Sequence, residues 1–107
     1  MLIKRNKLLP LTETTFYILL ALRIPGHGYQ IMQTVEDLSN GEVRIAAGTM
    51  YGALENLSKQ KLIMAMPSDD PRRKMYQITS SGAEILELDI RRLRQMLQAA
   101  ESEETQV

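Results

Sequence analysis

Arg72, Arg73 and Lys74 form the only run of three consecutive basic residues in the 107-residue chain. Cationic side chains that stand together at the tip of a turn can neutralise the phosphates of a nucleic acid. The same run can instead be a solvated turn whose charge Asp69 and Asp70 neutralise. The elements around the run decide between these two interpretations.

A second candidate for chemistry is the stretch GTMYGALENLSKQKLI, residues 48–63, which begins with small side chains. A glycine inside a helix costs about 1 kcal/mol relative to alanine, so Gly52 needs compensation. Small residues at Gly48, Gly52 and Ala53 let a helix backbone lie close to another surface. That surface is either the second helix or the sheet of the same protein, or the groove of a DNA duplex.

The polar residues of this stretch favour DNA. Thr49 can donate its hydroxyl to a phosphate, and a helix N-terminus itself attracts anions. Asn56 lies two turns further along the same face, where its amide can form a bidentate pair with adenine. Tyr51 has two interpretations, because its ring can fill the core while its hydroxyl can reach a phosphate.

Catalytic chemistry has no comparable set of residues. The chain contains no cysteine, which excludes disulfides and thiolate metal sites. His27 is the only histidine, and no carboxylate pair or serine gives it the context of a triad. We expect no catalytic residue, no metal and no cofactor, and interpret His27 as a helix cap or a phosphate contact. The amides of Gly28 and Tyr29 begin a helix and can also meet a phosphate.

Hydrophobic periodicity and turn residues predict the elements that position these side chains. The predicted helices span residues 13–24, 28–38, 48–60 and 81–101, and the predicted strands span residues 43–45, 62–66 and 74–79. The fold class is therefore mainly α with a small β-hairpin. Three helices followed by a hairpin are typical of a winged helix-turn-helix. In that fold the third helix enters a DNA major groove and the hairpin reaches the adjacent backbone or minor groove.

The long last helix carries the apolar spacing of a coiled-coil seam. Its apolar residues recur at steps of four, three and four, at Leu86, Ile90, Leu93 and Leu97. The rest of so small a protein cannot cover these side chains. We therefore predict that a second copy of the chain covers them in a homodimer. We therefore divide the chain into a winged helix-turn-helix DNA-binding domain, residues 1–79, and a dimerisation helix with an acidic tail, residues 80–107.

Charge is distributed unevenly along a chain whose formal net charge is zero. Residues 1–79 carry ten Lys and Arg against seven Asp and Glu, whereas residues 80–107 carry three against six. A mildly basic body agrees with DNA as a partner, because the distribution of charge matters more than its sum. The longest apolar run, Phe16–Leu22, is too short to span a bilayer, and the N-terminus does not resemble a signal peptide. We expect a cytoplasmic protein without membrane contact.

Three motifs occur in this chain in a characteristic order and spacing. They are G-x-G-Y at residues 26–29, G-T-x-Y-G-A-L at residues 48–54 and R-R-K-x-Y-x-I-T at residues 72–79. With them, residues 8–90 resemble the PadR family of bacterial transcriptional regulators. One departure is Ala47, where proline is usual in the family, and it affects the rigidity of the start of the third helix.

The resemblance implies a winged-helix dimer that represses transcription and pairs its subunits through C-terminal helices, here the single helix of the short class. The expected DNA-binding residues are Gly28, Tyr29, Thr49, Tyr51, Gly52, Ala53, Asn56, Arg72, Arg73 and Lys74. The expected dimer interface consists of Leu86, Ile90, Leu93 and Leu97. Many relatives sense small molecules, so an effector of unknown identity can be a further partner.

The alternative function is that of a winged-helix module that binds another protein, with weak or no DNA binding. The zero net charge favours this alternative, because a fold does not determine a function. The helix pattern and the basic hairpin agree better with a dimeric, sequence-specific DNA-binding regulator, a repressor of the PadR type. An enzyme is the weakest hypothesis, because no catalytic constellation is present.

Overall fold

Four helices and a three-stranded antiparallel sheet make up the part of the chain that the computed structural model describes, residues 6–70 and 72–102. In chain order the elements are α1 (Glu13–Ala21), β1 (Gly26–His27), α2 (Gly28–Leu38), α3 (Ala47–Lys59), β2 (Ile63–Met66), β3 (Met75–Ile78) and α4 (Ser80–Glu101). Three helices followed by a hairpin and a long helix confirm the winged helix-turn-helix that the sequence predicts.

Two threonines act as the N-caps of helices, a role that their residue type favours. The Thr12 hydroxyl accepts a hydrogen bond from the Thr15 amide at 3.1 Å, and the Thr79 hydroxyl accepts one from the Gly82 amide at 3.0 Å. Such N-caps satisfy amides that have no partner within the helix. Each cap therefore determines where its helix, α1 or α4, starts.

The first helix ends earlier than its apolar pattern predicts, at Ala21 rather than Ile24. The Leu22 carbonyl accepts a hydrogen bond from the Ile78 amide of β3 at 2.9 Å, so the chain has already turned toward the sheet. Pro25 follows shortly, and the residue before a proline disfavours helical geometry. Ile24 consequently lies outside the helix and is exposed.

The sheet differs from prediction in one strand. Val43–Ile45 was predicted as a short strand, but the structure has no strand there; the third strand is β1, which pairs with β3 through Gly26 opposite Tyr76. Val43 and Ile45 are buried, and the Val43 amide donates to the Ser39 hydroxyl at 2.9 Å. The alternation that suggested a strand therefore belongs to a connecting segment that inserts two side chains into the core.

The hairpin agrees with prediction to within a residue or two at each end. Its two strands, β2 and β3, pair antiparallel from Ile63 opposite Ile78 to Met66 opposite Met75. Residues 67–74 connect them and carry the basic run. The strands thus place the tip at a cleft that α3 and the start of α2 also line.

One hydrophobic core joins all four helices to the hairpin. Its fully buried large side chains include Ile18, Leu19, Leu22, Ile31, Met50, Leu54, Ile63 and Leu86. Gly82 lets α4 approach closely, because a Cβ there would overlap the backbone carbonyl of Leu62. The first turns of α4 therefore belong to the same core as the winged helix.

The second half of α4 leaves this core. Ile85, Leu86 and Asp89 are buried, whereas Leu93, Met96 and Leu97 are between 40% and 59% exposed. Residues 103–107 of the predicted acidic tail lie outside the described residues. Within residues 6–70 and 72–102, no helix is both long enough and apolar enough to cross a membrane.

Candidate nucleic-acid interface

A cleft of about 1080 Å³ lies between α3, the start of α2 and the hairpin. Twelve described residues line it: His27, Gly28, Tyr29, Tyr51, Glu55, Ser58, Ala65, Met66, Arg72, Arg73, Lys74 and Tyr76. Six of them are among the ten that the sequence predicts to bind DNA. Three segments that are far apart in the chain thus contribute phenols and cations to one concave surface.

Tyr51 and Gly28 form the floor of the cleft. A Cβ at Gly28 would lie 2.8 Å from the Tyr51 hydroxyl oxygen and 2.9 Å from its ring, so a side chain at position 28 would displace the end of the Tyr51 side chain. Tyr51 is 56% exposed, while Met50 and Leu54, which lie to one side of it around α3, are fully buried. The Tyr51 side chain therefore packs against the start of α2 and keeps its hydroxyl at the cleft surface. Tyr29 is exposed beside it.

The basic residues of the hairpin tip differ in their partners. The Arg72 side chain is almost fully exposed and its Nε lies 3.4 Å from Asp70 Oδ1, which also accepts from the Arg72 amide at 2.9 Å. Among the described residues, no acidic side chain lies within ion-pair distance of Arg73 or Lys74. The acidic neighbours thus shape the turn but leave two of the three cations available to an anionic partner.

The outward face of α3 is open at its glycines. A Cβ added at Gly48 or at Gly52 would have no atom of the described residues within 4 Å. Packing within this chain therefore does not require glycine at either position. Thr49, Glu55 and Asn56 are exposed around Gly52, so the middle of the face is low and its borders are polar.

Ala53 has a different environment from the glycines. It is half-buried against the hydrophobic core and borders a small groove of about 180 Å³ between α3 and the segment that precedes α1. Asn56 borders the same groove, beside Pro10 and Thr12. The small side chain at Ala53 is consistent with internal packing, whereas Asn56 keeps access to solvent from the edge of the groove.

His27 occupies the N-cap position of α2 and lines the cleft. Its backbone amide donates a hydrogen bond to Gln30 Oε1 at 3.1 Å. This bond satisfies the His27 amide and stabilises the first turn of α2. A capping role is one of the two that the sequence suggests for this histidine.

Two charged side chains, one in the cleft and one in α4, have environments that the sequence does not predict. Glu55 places a carboxylate in a cleft that is otherwise cationic or neutral among its described residues. Asp89 is 1% exposed within the core and accepts a hydrogen bond from Arg92 Nε at 2.7 Å. The Leu11 amide also lies 3.5 Å from Asp89 Oδ1, so this carboxylate links α4 to the segment before α1. A charged residue between the apolar positions of Leu86 and Ile90 was the available signal.

Comparison with known proteins identifies the family. The family model described as "Transcriptional regulator PadR-like family" matches residues 18–88, which is most of the chain. The chain belongs to the PadR-like family. This confirms the relationship that the three sequence motifs indicate.

Individual relatives agree with this assignment. Transcriptional regulator YqjI of Escherichia coli is 31% identical over 65 residues, which cover 61% of this chain. A PadR family transcription regulator of Clostridium difficile has a similar structure, with 25% identity, a TM-score of 0.70, and coverage of 82% of this chain and 94% of that one. The BpsR protein of Bordetella bronchiseptica, whose DNA binding is described as regulated by 6-hydroxynicotinic acid, has 22% identity and a TM-score of 0.69. The match covers 85% of this chain and 61% of BpsR.

The matched region is short compared with the curated relatives. It spans 54% of one such relative, from Lysinibacillus sphaericus, and 31% of YqjI. The match to the family model ends at residue 88, within α4. The functions of the full-length relatives are therefore only proposed for this chain.

Proposed function

We propose that this PadR-like protein is a cytoplasmic, dimeric, sequence-specific DNA-binding regulator that represses transcription. The third helix enters the major groove and the hairpin tip contacts the backbone or the minor groove. The observation that carries this proposal is the cleft that gathers Tyr29, Tyr51, Arg72, Arg73 and Lys74 beside the open face of α3.

The shape of α3 supports entry into a groove. Gly48 and Gly52 leave the outward face without protruding side chains, so the helix backbone can approach the base edges. Thr49 then faces a phosphate and Asn56 faces a base, as the identity of each side chain favours. A surface that binds another protein would require neither a helix face without protruding side chains nor a row of cations beside it.

The charges divide affinity and specificity between two elements. The first two turns of α3 carry no Lys or Arg, so this helix offers few phosphate contacts beyond its N-terminus. The hairpin supplies Arg72, Arg73 and Lys74, which are exposed. We therefore assign most of the sequence-independent affinity to the hairpin and most of the base reading to α3.

Dimerisation explains the exposed apolar side chains of α4. Leu93, Met96 and Leu97 expose between 40% and 59% of their surfaces on a helix that extends beyond the core. A second copy that packs against this surface would place two α3 helices on one duplex, which favours palindromic half-sites. Repression, and control by a small-molecule effector, rest on the family resemblance.

The second candidate function is a winged-helix module that binds another protein. The zero net charge favours it, as does Glu55 in the cleft, because both weaken attraction to DNA. This candidate predicts an interaction with DNA that is weak at every sequence.

A gel-shift assay against the protein's own promoter separates the two candidates. We expect a discrete complex whose affinity falls by about a thousandfold between about 50 mM and about 200 mM salt, if six cations of a dimer contact phosphates. A scrambled duplex of the same length and composition is the control and should bind more weakly. Equal, weak binding of both duplexes at the lower salt concentration would favour the protein-interaction module.

A further inference from the structure

Glu55 is the only acidic residue among the described residues that line the cleft. Its side chain is 71% exposed and projects from the middle of α3. At about 100° per residue, Glu55 lies about 60° to one side of Gly52 and Asn56 lies about 40° to the other. Glu55 and Asn56 therefore flank the open centre of the face proposed to enter the major groove.

A carboxylate at this place opposes the approach of phosphates and requires a compensating interaction. Lys59 Nζ lies 3.4 Å from Glu55 Oε1, and this exposed pair keeps the local net charge near zero. An exposed pair of this kind contributes little to helix stability. Stabilisation of the helix by this pair therefore does not explain why an acidic residue lies on the face proposed to meet DNA.

The chemistry of the groove determines what a carboxylate can contact. An ionised carboxylate only accepts hydrogen bonds, and guanine and the thymine O4 present acceptors in the major groove. Adenine offers N6–H beside the N7 acceptor, which repels the second carboxylate oxygen. Cytosine offers N4–H without an acceptor on the same base edge. Cytosine is therefore the base that a carboxylate in this position recognises best.

We propose that Glu55 is a specificity-determining residue that accepts a hydrogen bond from cytosine N4 at one position of each half-site. This inference rests on the proposed DNA-binding function and adds a base preference to it. Asn56 reads a different position, because the two side chains diverge from the helix by about 100°. Lys59 keeps the local charge balanced beside the carboxylate.

The test is selection of bound duplexes from random DNA with the full chain, carried out for the wild type, Glu55→Gln and Glu84→Gln. Glu84→Gln removes an exposed carboxylate from α4, outside the cleft, and is the matched control. We expect the wild type and the control to enrich cytosine at the same position of each half-site. Glu55→Gln should lose that preference on the order of tenfold and favour adenine there, because a glutamine amide pairs with adenine N6 and N7.

Two other outcomes would overturn the inference. If Glu55→Gln keeps the base preference of the wild type and binds all sequences more tightly, Glu55 only reduces the attraction to phosphates. If the wild type enriches a common sequence without cytosine, Glu55 reads no cytosine although DNA binding holds. If the wild type enriches no sequence at all, the proposed function itself fails, so the two failures are distinguished. Thermal melting of each variant verifies that the fold is retained.

Discussion

Gly82 and Gly52 both lie within helices, but their surroundings differ. A Cβ at Gly82 would overlap the Leu62 carbonyl, so α4 can pack closely only without a side chain there. A Cβ at Gly52 would lie within 4 Å of no atom in residues 6–70 and 72–102, so these residues leave space for a side chain there. Packing against the described residues therefore does not account for the helix penalty at Gly52, and close approach to DNA is our proposal for it.

Substitution of Gly52 tests this difference. Gly52→Leu should raise the free energy of unfolding by up to about 1 kcal/mol through helix propensity, yet abolish the gel shift because leucine fills the groove-facing surface. Gly82→Ala is the matched control and should lower the melting temperature. If Gly52→Leu unfolds the protein or leaves DNA binding intact, the glycine does not serve approach to a groove.

Asn56 provides a prediction about base reading. Asn56→Ala should change stability by no more than about 0.5 kcal/mol, because the residue is exposed. It should lose about 1–3 kcal/mol of discrimination at one base pair of each half-site, with the salt dependence unchanged. Competition titrations with single-base operator variants measure this loss. Gln60→Ala, one turn further on, is the control, and equal discrimination by Asn56→Ala and the wild type would exclude base reading by this residue.

Asp89 makes the strongest predicted contribution of a single polar residue to stability. Asp89→Ala removes the carboxylate that holds Arg92 at 2.7 Å and leaves a guanidinium that is only 20% exposed without its partner. We expect a loss of about 3 kcal/mol in the free energy of unfolding by urea, because breaking a buried pair leaves an uncompensated charge. Glu87→Ala breaks an exposed pair on the same helix and should cost less than about 1 kcal/mol. Similar losses for both variants would contradict the role of burial.

At the scale of elements, the sequence predicts what depends on local chemistry. Caps at Thr12 and Thr79 and the period of the apolar residues indicate the four helices, because these signals act within one or two turns. Val43–Ile45 shows the limit of such signals, since two alternating buried residues also suit an irregular connection. The pairing of β1 with β3 joins residues about fifty positions apart in the chain. Local patterns carry no information about such a pairing, so β1 was not predicted.

In the candidate site, too, the sequence predicts the local elements but not the contacts between them. Motifs in the sequence indicated α3 and the hairpin tip, but not that Tyr51 rests on Gly28 or that Glu55 shares the cleft with the cations. Those contacts depend on how the hairpin folds back toward α2 and α3. The burial of Asp89 likewise depends on the packing of α4 against the rest of the core.

The hairpin tip supports a prediction about affinity without sequence preference. Replacing Arg72, Arg73 and Lys74 together with alanine should weaken binding similarly on all duplexes. It should also reduce the slope of log affinity against log salt by about one unit per lost contact. Arg23→Ala, an exposed cation outside the cleft, is the control. An unchanged affinity and slope in the triple variant would mean that the tip is a solvated turn.

At the scale of the whole molecule, α4 has two environments along its length. Leu86 is 1% exposed and belongs to the core of its own chain, so it has little surface to offer to a partner. Ile90 is half-buried against the same core. Leu93 and Leu97 follow on the part of the helix that extends away from it. The exposed part of the predicted seam therefore begins near Ile90, and dimerisation through it remains a prediction.

Leu93→Arg tests that prediction. Burial of a leucine side chain contributes about 1.5–3 kcal/mol, and a charge at its place would have to be desolvated in the proposed interface. Since Leu93 is 40% exposed and lies beyond the buried turns of α4, the variant should fold and sediment as a monomer. Gln95→Arg adds the same charge on the opposite side of the helix and should remain a dimer. Wild-type protein that sediments as a monomer at micromolar concentration, or a Leu93→Arg variant that remains dimeric, would show that this surface does not pair subunits. A monomeric variant should also lose the affinity that two linked half-site contacts provide, because each subunit then binds DNA alone.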